Sequence, residues 1–374
     1  MAGASNSFNY GQLVLKEERE DDPAKPTIGI KFSEFDDGLE FEEKEDTANV
    51  GGPTTTIGYD RTGAPTNPTF TDSLRWNECL EHILYGIVGG QRVGTKVGST
   101  GLYKYVLSNN GDYDELPLFT ILKGFNRWNV EGPNGEAPVA PEIYDNAQIN
   151  EVEIKLSTDD TLSVTATFVS DAPLSGVAEA DPTLVYKARS SKILKDHIKI
   201  LMGDTDLELE ELQSASCIKE LTIKLNNNLE VTSCFGDKFG ENSADSTDFT
   251  GEISATSELN RTNFITRRKH LTGEADGVRV SQEVYLQQIA VVVDGPFVLD
   301  SENKPTSDKY GLLIHFPIIN ITKAKPSQSG NDAGTFELEA KMLPDLVSGS
   351  PLIIEMETNL PEIPYGTQNY TVPE

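Results

Sequence analysis

Apolar and polar residues alternate with a period of two along most of this chain, the pattern of strands with one buried face. Residues 149–156 read Ile-Asn-Glu-Val-Glu-Ile-Lys-Leu, with Val152, Ile154 and Leu156 on one face. A turn signal follows (Ser157-Thr158-Asp159-Asp160), after which Leu162, Val164, Ala166 and Phe168 resume the alternation. This predicts an antiparallel hairpin. The same reading predicts hairpins over 28–41, turning at Asp36-Asp37-Gly38, and over 218–235, turning at Asn226-Asn227-Asn228. Further strands are predicted at 118–122, 312–322, 336–342 and 352–357.

Two segments follow a helical period instead. Leu74, Leu80, Ile83, Leu84 and Ile87 recur at helical spacing behind the capping residues Thr71-Asp72-Ser73, and Gly89-Gly90 closes the run. A second helix is predicted over 257–271, opened by Ser257 and closed by Gly273. Stretches rich in Gly, Pro, Asn and Thr (51–68, 131–141 and 172–182) separate the elements, and the last marks a junction near mid-chain.

The elements also recur. Residues 149–156 and 218–225 align, and so do 162–168 and 229–235. Two good hairpins converging on one alternation would give the same match. The order hairpin, helix, strand, hairpin is more informative. Its first three members recur at offsets of 190 (218 − 28), 186 (258 − 72) and 194 (312 − 118). A near-constant spacing points to two copies of one unit.

The chain has 374 residues, which also suggests two domains. Its 31 basic and 60 acidic residues leave a net charge of −29, which excludes tight non-specific binding to DNA. Adaptation to molar salt is a poor explanation of the acidity, since 21 of the 31 basic residues are Lys. No apolar run is long enough to span a bilayer, and the first twenty residues lack the basic and apolar regions of a secretory signal. Cys79, Cys217 and Cys234 have no ligand spacing and read as free thiols in a reducing cytoplasm.

No catalytic constellation emerges. His82, His197, His270 and His315 are scattered. The loop 89–101 (GGQRVGTKVGSTG) follows a helix and carries Gly94-Thr95-Lys96, which is the wrong order and place for a phosphate-binding loop. Gly203-Asp204-Thr205-Asp206 lacks the ligand ladder of a calcium loop. Arg267-Arg268-Lys269-His270 suits a solvated helix end better than a nucleic-acid patch. The expectation is therefore no enzyme, with no catalytic, cofactor or metal residues, and a binding or structural role.

Several segments resemble the tail tube proteins of long-tailed (siphovirus-type) phages and related viruses. Leu116-Pro117-Leu118-Phe119-Thr120-Ile121 is similar to a strand of that family, and 149–171 to its hairpin ending in Phe-Val-x-Asp. Residues 221–230, with Asn227-Asn228-Leu229-Glu230, resemble a second hairpin, followed by Gly236 and a strand at Thr250-Gly251-Glu252, and His315-Phe316-Pro317 with 318–343 resemble its final strand pair. The likeness covers about 70–360, leaving the acidic segment 1–27 aside.

The resemblance implies a mainly β fold of two tandem β-sandwich or barrel-like tube domains, each with a flanking α-helix. These are placed at 28–172 and at 218–374 (with a C-terminal extension), joined by a linker at 173–217. It also implies a virion protein, assembled in the host cytoplasm, whose rings stack into the tail tube for genome ejection. Tandem members are expected to form homotrimers with pseudo-hexameric rings. The implied partners are other copies, the tape-measure protein and the tail terminator and distal tail proteins. Double-stranded DNA is expected only as transiting cargo, and no membrane is involved. A negative wall would let DNA slide, since the duplex carries one charge per roughly 1.7 Å. Glu151, Glu153, Glu337 and Glu339 are candidates to face the channel. The alternative is an extracellular β-sandwich binding module of carbohydrate-binding or adhesin type, for which a secretion signal or an aromatic platform is the missing mark.

Overall fold

The computed structural model describes residues 9–17, 28–30, 34–36, 42–48, 55–63, 66–73, 75–76, 80–108, 116–125, 141–158, 162–175, 191–215, 217–232, 243–246, 248–282, 284–300, 304–328, 334–346 and 349–366, with single positions 24 and 38. The protein is mainly β, with a large curled antiparallel sheet and two α-helices among the described residues.

The first set of elements is β1 (Asn9–Lys16), β2 (Glu34–Asp36), β3 (Thr69–Ser73), α1 (Leu80–Val88), β4 (Tyr103–Ser108), β5 (Leu118–Phe125), β6 (Glu142–Ser157), β7 (Ser163–Val169) and β8 (Leu174–Ser175). The second is β9 (Ile198–Asp204), β10 (Ile218–Asn226), β11 (Thr250–Glu258), α2 (Arg261–Thr272), β12 (Leu286–Leu299), β13 (Pro305–Ser327), β14 (Thr335–Met342) and β15 (Ile353–Thr358). Strand pairing follows one order in both. β1 pairs with β5, β5 with β6, β6 with β7, β7 with β3, β3 with β2, and β6 also with β8. Likewise β9 pairs with β12, β12 with β13, β13 with β14, β14 with β11, β11 with β10, and β13 also with β15.

The registers agree as well. The bulge between Ile149 and Glu151 in β6 recurs between Ile321 and Lys323 in β13, an offset of 172 at both residues (321 − 149, 323 − 151). The bulge between Phe119 and Ile121 recurs between Gln287 and Ile289, an offset of 168 (287 − 119, 289 − 121). A two-stranded ribbon interrupts each set at the same point: 42–48 with 55–63 between β2 and β3, and 229–232 with 243–246 between β10 and β11. The sets are joined by β6 to β10 and by β4 to β15. One continuous hydrophobic core, from Leu15 to Ile363, runs through both.

Several sequence expectations change. Residues 28–41 do not form a hairpin: 28–30 pair with β1, whereas β2 pairs with β3. Asn226-Asn227-Asn228 does not close a hairpin either, because β10 lies between β6 and β11. The Asn227 side chain donates to the Ile149 carbonyl (2.8 Å), and the chain leaves for its ribbon. The aligned segments 149–156 and 218–225 are therefore neighbours in one sheet, with Ile154 opposite Ile223. The pairing counterpart of 118–122 is β12 rather than 312–322. Alternation is common to all these strands, so it aligns any with any.

Thr69–Ser73 is a strand with every second residue buried, Arg75–Trp76 is extended too, and the described part of α1 is Leu80–Val88. Thr, Asp and Ser favour caps, but around Phe70 they also make a half-buried strand. Eight of the nine α1 residues are buried, as expected of a short helix apolar nearly all round. Gly86 lets α1 sit close, since a Cβ there would lie 2.6 Å from Ile149 and 2.8 Å from Phe119. α2 is capped by Asn260, whose side chain accepts from the Asn263 amide (3.0 Å), and ends on left-handed Gly273 (φ 79°). Ser257 belongs instead to β11. The segment 1–27 contributes β1, the linker 173–217 contributes β8 and β9, and the loop 51–68 contains the strand 55–63. Residues 131–140 and 176–182 lie outside the described residues.

Candidate functional site

Within the large sheet, eight strands lie side by side in the order β2-β3-β7-β6-β10-β11-β14-β13. Because side chains alternate across a strand, one face of this sheet is apolar and the other polar. Val152, Ile154, Val164, Ala166, Phe168, Leu221, Ile223 and Ile253 are buried on the inner side. The opposite face carries Ser, Thr, Glu and Lys.

One row of this face runs Glu34, Thr71, Thr165, Glu153, Lys224, Glu252, Lys341. Another runs Ser73, Ser163, Lys155, Thr222, Ser254, Glu339, Lys323. Thr69 with Thr167 and Thr71 with Thr165 bond hydroxyl to hydroxyl, both at 3.1 Å. The four proposed acidic residues all lie here, and three have lysine partners. Glu153 pairs with Lys155 and with Lys224 (2.8 Å), while Lys323 bridges Glu337 (3.1 Å) and Glu339 (2.6 Å). Lys341 pairs with Glu252 (3.1 Å).

The described charges on this face are Glu34, Asp36, Glu151, Glu153, Glu220, Glu252, Glu258, Glu337 and Glu339, against Lys155, Lys224, Lys323, Lys325, Lys341 and, from a bulge, Lys219, which pairs with Glu258 (3.3 Å). Nine minus six leaves a small excess of three carboxylates among the described residues. The lysines were not singled out from sequence. Residue Lys155 shares the face of Glu153 by simple alternation, but Lys224 and Lys323 reach their acids only through the strand register.

Burial pushes the Glu153 carboxyl up, but hydrogen bonds from Lys155 and Lys224, with their charges, outweigh it and hold it below its ordinary value. A lowered folded-state pKa contributes stability above the unfolded value and loses it as pH falls through the folded one. Thermal melts of Glu153→Gln are therefore expected to fall less steeply than wild type below about pH 4. Equal slopes for the two proteins would remove this pair from the acid response.

The other sequence candidates have structural partners. The loop after α1 holds the C-terminal region: the Gly94 amide donates to the Pro361 carbonyl (2.9 Å), and Arg92 donates to the Ile363 carbonyl (2.9 Å). Asp204 is bonded by Lys269 (2.9 Å) and Tyr285, beside a cavity of about 390 Å³ roofed by α2. His315 bonds Gln288 (2.9 Å), and burial lowers its pKa. Cys217 is an exposed free thiol, while Cys79 and Cys234 lie outside the described residues. Among the described residues, no three metal-ligating side chains gather, and no helix is long and apolar enough to cross a membrane.

The sequence matches no family model, and no curated protein aligns with it significantly.

The outer strands of the eight-stranded sheet are the remaining feature. No described strand pairs with the outer edge of β2 or with that of 321–327 in β13.

Proposed function

We propose that this chain is a structural, self-assembling subunit of a tube wall, of the tail tube kind. In this reading copies join edge to edge, so that the polar faces form one continuous channel lining. The observation that carries this is the internal junction between β6 and β10. The eight strands are two sets of four in the same order, β2-β3-β7-β6 and β10-β11-β14-β13. The joined edges, β6 and β10, are the counterparts of the open edges, β13 and β2. Repeating the internal junction between chains would satisfy both open edges. Such a head-to-tail interface closes into a ring when the rotations between copies add up to a full turn.

The register of that contact follows. β2 and β10 correspond at an offset of 186 (220 − 34, from Glu34 opposite Thr71 and Glu220 opposite Thr256), and β6 and β13 at 172. Lys155 faces Thr222 and Glu153 faces Lys224 within the chain, so Ser327 faces Asp36 and Lys325 faces Gly38 between chains. Lys325 then lies diagonal to Asp36, a favourable cross-strand pair. Lys323, Lys325 and Pro326 on this edge also discourage indiscriminate pairing.

In this reading the segments 28–172 and 218–374 are built around two copies of one unit, with β1 and β9 added to each. Three chains supply 24 strands (3 × 8), and ~4.8 Å per strand at ~40° tilt gives a backbone radius of roughly 24 Å. A channel of that size admits a duplex. Its lining of hydroxyls, with lysines largely held by carboxylates and a small acidic excess, offers phosphates little to bind, so DNA passes as cargo.

Negative-stain microscopy and sedimentation of the purified chain test the proposal. Rings or stacked tubes are expected, and a protein that stays monomeric at every concentration defeats it. Lys325→Glu is expected to weaken each junction by about 0.5–1 kcal/mol, with Asp36→Lys in the same chain restoring assembly. Failure of the double exchange to restore it would reject this register.

A further inference from the structure

We infer that 277–285 is a latent strand that a second copy of this chain completes, an inference that rests on the proposed ring. The segment is Gly277-Val278-Arg279-Val280-Ser281-Gln282-Glu283-Val284-Tyr285, with Val278, Val280 and Val284 on alternate positions. That is a strand pattern, yet the described residues here belong to no strand. Val278 is 94% exposed, Val280 80% and Val284 62%, an unusual concentration of solvated valine.

The segment is also held in place. The Ser281 amide donates to the Leu271 carbonyl (3.0 Å) at the end of α2, and the Tyr285 hydroxyl bonds Asp204. Between these anchors and Gly273 the valines are presented outward.

The other half of the molecule supplies the occupant. There, the segment after α1 is a strand, β4, and it adds to the edge of β15 over six residue pairs, from Ser108 opposite Ile353 to Tyr103 opposite Thr358. Tyr105 and Leu107 are fully buried as a result. The counterpart of β15 is β8, at an offset of 179 (353 − 174, 354 − 175) from their pairings with β13 and β6. The outer edge of β8 has no described partner strand. Both junctions within the chain run from the first set to the second, β6 to β10 and β4 to β15. Carried to the next copy, β13 meets β2 and 277–285 meets β8. The same two copies make both contacts, so the geometry is consistent. Strand addition of this kind draws affinity from main-chain hydrogen bonds and from alternate side chains entering the neighbour. It would also make ring closure depend on recruiting a segment whose described residues belong to no strand in the lone chain.

Hydrogen exchange of the full chain, below and above its assembly concentration, tests this together with Val278→Asp/Val280→Asp. Both valines are solvated, so the variant is expected to melt with the wild type. On assembly the amides of 277–285 should slow along with those of Leu174 and Ser175, and the variant should need at least ~10-fold more protein to form rings. Rings that form with 277–285 still exchanging freely, and equally well in the variant, overturn the latent strand and leave the ring reading standing. Absence of rings in the wild type overturns both.

Discussion

Lys16→Met is expected to cost about 3–5 kcal/mol of stability, measured by urea unfolding, because it leaves a buried carboxylate without its cation. Lys16 is 5% exposed and Asp145 3%, and Lys16 Nζ lies 2.5 Å from Asp145 Oδ2 and 3.0 Å from Asn146 Oδ1. The other Asp145 oxygen accepts from the Thr120 hydroxyl (2.6 Å), which in turn accepts from the Ala24 amide (3.1 Å). These bonds tie β1 to β5 and β6 through charge and not through apolar packing. Adding Asp145→Asn removes the stranded charge, so the double variant should recover much of the loss. A single variant within about 1 kcal/mol of wild type would show that Asp145 does not depend on Lys16.

Phe168→Ala should be comparably damaging, at about 3–5 kcal/mol from lost burial and the cavity left behind. Phe168 is fully buried in β7, 5.8 Å from the Phe70 ring and 6.0 Å, edge to face, from Phe119. The core is one cluster spanning both sets of strands, so calorimetry should show one transition displaced to lower temperature. Separate transitions, with only one displaced, would show that the two halves unfold independently. Phe264→Ala on α2, where the ring is 50% exposed, is the control and should change stability by less than about 0.5 kcal/mol.

Much of the strand content was legible from alternation. The hairpin of β6 and β7, the long C-terminal strands and β15 follow directly from apolar residues two apart, because one buried face demands that spacing. The second helix was legible from its closing Gly273, although its first residue was misplaced by the strand that precedes it. Strand partners were not legible. Residues 149–156 and 218–225 look alike because both are half-buried strands, and the likeness suggested a repeat where the fold makes them neighbours. The true correspondence, β6 with β13 at 172, is carried by pairings and bulges that no local pattern encodes.

The candidate site divides in the same way. Glu151 and Glu153, or Glu337 and Glu339, could be placed on one polar face from sequence, since residues i and i+2 always share a face. That Lys224 and Lys323 neutralise two of these strands could not, because cross-strand neighbours are fixed by register.

By itself, then, the sequence determined the period of most strands, their buried and solvated faces and the overall acidity. Those properties depend on residues a few positions apart, where spacing and solvation decide the outcome. Only the tertiary structure decided that the two halves share one core, that their strands pair in one recurring order, and that, among the described residues, the two outer edges of the eight-stranded sheet and a valine-lined segment have no partner strand. The junctions between the halves join residues 63 to 75 positions apart (β6 with β10) and 245 to 255 apart (β4 with β15), and their pairing is chosen by the packing of the whole sheet rather than by any segment of it.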